Sequence, residues 1–118
     1  MNKALKDKGI AALRSGDYKQ GRGALQNKEG AFCCLGVLGD CMPDLTYWKR
    51  TNATAQMLVA QNTEVGHYDY SGATIPNSVR EKIGLFNGDQ AHLLYQNDSG
   101  ASFQEIADWI EKNIPGED

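Results

Sequence analysis

The sequence predicts a compact, helix-rich α+β domain with a small β-hairpin or short sheet. Three observations predict it. Amphipathic stripes with recognisable stops recur at the start, centre and end of the chain. A middle stretch carrying Val65, Tyr68 and Tyr70 among turn residues has strand character. No linker, repeat or low-complexity tract divides the 118 residues, so residues 1–118 are expected to form a single globular domain around one core.

A first helix is expected over about 2–15, where Leu5, Gly9, Ala12 and Leu13 share a stripe and Ser15-Gly16 gives the stop. "DYKQGRGALQNKEG" reads as a loop or short irregular strand ending in a turn at 27–30. The segment from about Phe32 to Met42 reads as a buried helix. Cys34, Val37, Leu38 and Cys41 stand at i, i+3, i+4 and i+7, and Gly36 and Gly39 allow close approach. "ATAQMLVAQN" fits a short helix or a strand, and "EVGHYDYSGAT" a strand or hairpin. In "TIPNSVREKIGLF", Pro76 suits the first helical position, Val79 and Ile83 share a face, and Gly84-Leu85 fits a Schellman cap. "GDQAHLLYQ" is expected to be a short helix broken by the turn "NDSG". The last helix opens with a Ser102/Glu105 capping box and carries a stripe of Phe103, Ile106, Ala107, Ile110 and Ile114.

Three cysteines within "CCLGVLGDC" raise the question of chemistry. Cys34 and Cys41, seven residues apart on a helix, would be separated by about 10 Å along the axis. That is too far for a disulfide. The CC-x6-C spacing lacks a zinc-type partner, and His67 and His92 are distant in sequence, so no metal and no cofactor is expected. A catalytic alternative remains. Cys33 at a helix start would be the nucleophile, His67 or His92 the base, and Asn97 or Asp98 the orienting group. Against it stands the reading of the thiols as small buried hydrophobes.

No run of about 18 apolar residues exists, which argues against a membrane span. The N-terminus lacks the apolar segment of a secretory signal, so a reducing cytoplasm is expected. The net charge of −3 is unevenly spread. Seven basic residues face two acids up to Lys28, whereas eight acids face two lysines from Glu81 onward. The two ends could pair within the fold or between copies in a homo-oligomer. Alternatively, the basic end could attract an anion. The acidic balance, and the lack of aromatics among the N-terminal lysines, argue against a nucleic-acid partner.

"ALRSGDYKQGRGALQNKEGAFCCLGVLGD", "IPNSVREKIGL" and "LLYQNDSGASFQEIADWIE" together resemble a small protein family encoded in phages and prophages. Its members carry LRSGxYxQ, CCLGVL and NDxGxSFxEIA segments in this order. The family is of unknown function, so the resemblance implies a phage-like origin and a bacterial host's cytoplasm rather than an activity. Its motifs fall here on Gln20, Gly21, Cys33, Cys34, Gly36, Asn97, Asp98, Ser102 and Phe103. Residues 44–72 depart from the family pattern.

The expectation from these readings is a non-enzymatic binding protein that modulates a host. It would sequester either a small anionic molecule of nucleotide type or a host protein. Lys19, Gln20 and Arg22 would contact the anion, Tyr68 or Tyr70 would stack on a base, and Cys33, Asn97 and Asp98 would line the cleft. "GDYKQGRG" lacks the Gly-Lys-Ser/Thr end of a phosphate loop. The rival is a cysteine-dependent hydrolase or transferase using Cys33, His92 and Asp98.

Overall fold

The computed structural model describes residues 1–50, 56–61 and 69–118. Their elements run α1 (Lys3–Arg14), α2 (Cys34–Asp40), β1 (Thr46–Arg50), β2 (Gln56–Ala60), β3 (Tyr70–Ser71), α3 (Asn77–Ile83), α4 (Asn87–Asp98) and α5 (Phe103–Asn113). The sheet is antiparallel in the order β1-β2-β3, with Trp48 opposite Leu58 and Val59 opposite Tyr70. The α+β class is therefore as expected, and the ambiguous "ATAQMLVAQN" contributes strand β2.

At the centre lies α2, whose residues Cys34 to Gly39 are all buried. An amphipathic surface helix buries one stripe; this one is covered all round, as a central helix must be. Gly36 makes that possible, because a Cβ there would lie inside the Leu25 carbonyl oxygen. α1 and α5 pack against one another on one side of the core. The stripe of α1 consists of Leu5, Gly9, Ile10 and Leu13, with Ile10 taking the buried place assigned to Ala12. The stripe of α5 is buried as expected, and its capping box is complete: Ser102 Oγ accepts from the Glu105 amide, and Glu105 Oε1 from the Ser102 amide, both at 3.1 Å.

The basic and acidic ends meet inside the chain at Arg14. Arg14 on α1 reaches Asp108 at 2.6 Å and Glu111 at 3.1 Å on α5. The termini close the same seam: the Lys3 amide donates to the Glu117 carbonyl, and the Glu117 amide to the Met1 carbonyl.

Several boundaries differ from the sequence reading. The central helix begins at Cys34, not Phe32, and ends at Asp40, not Met42. Phe32 and Cys33 are held extended, as the Phe32 amide bonds the Lys19 carbonyl and the Cys33 amide the Leu25 carbonyl. Helix α4 runs on through Asn97 and Asp98, so the turn lies at Ser99-Gly100, where Gly100 adopts φ 104°. Pro76 precedes α3 rather than opening it. The Schellman cap after α3 is present: Leu85 N–H bonds the Arg80 carbonyl, and Gly84, at φ 73°, bonds that of Glu81. The turn at 27–30 is also present. Asn27 Oδ1 accepts from the Glu29 and Ala31 amides, and Gly30 has φ 81°.

Candidate functional site

Asn97 is the best-connected side chain among the expected site residues, and it is fully buried. Its Oδ1 accepts from Gln20 Nε2 at 2.9 Å and from the Cys34 amide at 3.1 Å. Its Nδ2 donates to the Gly21 carbonyl at 2.9 Å. Gln20 Nε2 donates also to the Ala101 carbonyl at 2.8 Å, and the Gly23 amide donates to Asp98 Oδ1 at 3.4 Å. Asn97 thus caps α2 from outside, supplying an acceptor to an N–H that the helix cannot satisfy. In doing so it ties the 20–23 loop to α4. Gln20 and Asn97 do meet, as the shared-cleft reading requires, but they bond each other and the backbone. Sequence reasoning left Gln20, Cys33, Asn97 and Asp98 without a structural role. Three of them take one here through side-chain bonds, and Cys33 through its place in the core.

All three thiols are free and buried. Cys33 is 1% exposed and precedes α2 instead of sitting in its first turn. Burial pushes its thiol above the ordinary value, and the facing amides of Gly36 and Leu35 pull it back only in part. The helix-end effect expected for a nucleophile is present, and desolvation outweighs it. Burial likewise raises the Cys34 thiol, whose Sγ donates to the Leu93 carbonyl at 3.4 Å. The candidate base His92 is exposed and lies against Trp109, with ring centroids 4.4 Å apart. Among the described residues no hydrogen bond links His92 to Cys33 or Asp98. The other candidate base, His67, and the stacking candidate Tyr68 lie outside the described residues. No group of three or more His, Cys, Asp or Glu residues that could hold a metal ion occurs among the described residues.

Of the expected anion contacts, Lys19 and Arg22 are exposed. Tyr70 is 53% exposed on the outer face of the sheet, where it shares a shallow hollow of about 230 Å³ with Tyr47, Lys49, Met57 and Val59. Neither Lys19 nor Arg22 lines that hollow.

A larger concavity was not foreseen. A cleft of about 390 Å³ opens between α1, the chain just after α2, and the end of α3. Leu5, Met42, Leu45 and Ile83 give it apolar walls, and Lys8 and Lys82 stand at it with Asp44. Neither lysine has an ion-pair partner within 4.0 Å among the described residues. Local sequence carries little signal for it, because the cleft needs distant segments to meet: the Asn2 amide, just before α1, bonds the Ile83 carbonyl at the end of α3 at 2.7 Å. A second hollow of about 320 Å³, polar in character, holds Lys28 and Arg50 with Gln26 and Gln56.

No helix among the described residues is long and apolar enough to cross a membrane. No curated protein and no solved structure shows a significant match to the chain. A family model does match, over residues 1–114, and its description is a domain of unknown function, DUF8296. It spans the seam between α1 and α5, the Asn97 network and the cleft, and the chain belongs to that family.

Proposed function

We propose that this protein acts by binding rather than by catalysis, and that it sequesters a small anionic molecule. One observation carries the reading: the polar groups divide into two sets. Gln20, Asn97 and the three thiols are committed to the interior, while Lys8 and Lys82 face a cleft without an ion-pair partner among the described residues. A nucleophile must be ionised and reachable, and burial opposes both for Cys33. A binding site needs concavity, apolar wall and a few polar groups, and the cleft has all three. In this proposal the setting is a bacterial host's cytoplasm, the origin is phage-like, and the ligand is withdrawn from the host.

Thermal unfolding in the presence of phosphate, citrate, AMP and octanoate tests the reading. A bound ligand at a hundred times its Kd stabilises by about 2.7 kcal/mol. At least one anion should raise Tm in the wild type, and the Lys8→Gln/Lys82→Gln double variant should lose that rise. Absence of a lysine-dependent shift, together with ester or thioester turnover that Cys33→Ser abolishes, would instead establish the cysteine hydrolase.

A further inference from the structure

We propose that the cleft between α1 and α3 takes an amphipathic monocarboxylate, a short acyl or aryl chain ending in one carboxylate, and not a nucleotide. This rests on the binding reading above and names its ligand class. The walls set by Ala4, Leu5, Met42, Leu45 and Ile83 are aliphatic or thioether surface suited to a chain. A nucleotide base calls for an aromatic face, and among the described residues none of those around this cleft is aromatic. A phosphate chain is best met by arginine forks or by a nest of backbone N–H groups. Among the described residues, arginine is likewise absent from the lining, which offers two lysines against Asp44, one net positive charge. That balance matches one carboxylate and falls short of a di- or trianion.

Several backbone carbonyls beside the cleft are already engaged. Gly39 O accepts from the Met42 amide, Met42 O from the Leu45 and Thr46 amides, and Ile83 O from the Asn2 amide. Asn2 contributes a further donor, because its Oδ1 is occupied by the Leu5 amide while its Nδ2 makes no hydrogen bond among the described residues. Lys8 is close enough to Cys41 in the cleft wall to favour that thiol's charged form, against the larger effect of burial. Lys8 and Cys41 both line the cleft, so a carboxylate bound there would lie near the Lys8 side chain.

Calorimetric titration of the intact protein with butanoate, hexanoate, octanoate, octanol and AMP tests the inference. Each methylene that enters the walls should tighten binding roughly three- to fourfold. Lys8→Gln and Lys82→Gln should each weaken octanoate roughly two- to fivefold and leave octanol unchanged. Ala4→Phe, at an exposed position of α1 on the cleft, should block octanoate while the protein stays folded. Lysine-dependent binding of AMP in preference to octanoate would overturn the ligand class and leave the binding reading standing. Octanoate uptake indifferent to Ala4→Phe and to both lysines would overturn the site. Silence toward every anion would overturn both.

Discussion

Around Asn97, itself fully buried, groups from α2, α4 and the 20–23 loop meet with hydrogen bonds of 2.9 to 3.1 Å. Across the molecule, Lys8 and Lys82 stand at a cleft of about 390 Å³ with no ion-pair partner among the described residues. The first region holds Gln20, Cys34 and Asn97 of the LRSGxYxQ, CCLGVL and NDxGxSFxEIA segments; none of these three segments reaches the cleft, although Lys82 and Ile83 fall within "IPNSVREKIGL". The difference teaches that a motif of polar residues and cysteines can be a motif of construction. A helix such as α2, buried on every side, needs its first N–H groups satisfied by something other than water. Asn97 and the Leu25 carbonyl perform that task. The free charges lie where packing makes no such demand.

Substitutions should separate the two regions sharply. Asn97→Ala should have the largest effect, a loss of about 3–5 kcal/mol, since it leaves the Cys34 amide and the Gly21 carbonyl without their partner. Chemical denaturation measures it. Gly36→Ala should follow at about 3 kcal/mol, because the clash is with the backbone of Leu25 and no side-chain rotation relieves it. Ser102→Ala removes the α5 cap and should cost about 1 kcal/mol. Lys8→Gln and Lys82→Gln should change stability by less than about 0.5 kcal/mol in the absence of ligand. A double variant as destabilised as Asn97→Ala would erase the contrast.

The thiols sharpen the comparison through pH. Burial raises all three above the ordinary thiol value of 9.0, so the folded chain retains protons that the unfolded chain releases. Their contribution is fully present below pH 9 and declines as pH rises past it toward the folded values. Urea midpoints measured between pH 8 and 10 should fall for the wild type. They should fall less for Cys34→Ala, whose thiol is the most deeply buried of the three.

Much of the fold was legible because its signals are local. The capping box of α5, the Schellman cap after Ile83 and the turn at Asn27 each lie within a few residues. The burial of the Cys34, Val37, Leu38 and Cys41 face followed from helical spacing. The start of α2 was not legible, because it is set by Leu25 and Asn97, from a distant loop and helix. The same applies to the candidate site. Gln20 and Asn97 could be singled out from sequence, but not the fact that they satisfy each other across 77 residues. Lys8 lies outside the quoted segments and Lys82 within "IPNSVREKIGL", but nothing local in either stretch tells that the two line one cleft.

Alkylation of the native protein by iodoacetamide at neutral pH, followed residue by residue, tests the central claim most directly. If the thiols belong to the interior, Cys33, Cys34 and Cys41 react slowly, at rates that rise together with denaturant as the chain unfolds. Rapid labelling confined to Cys33, lost when His92 is replaced by alanine, would contradict the account.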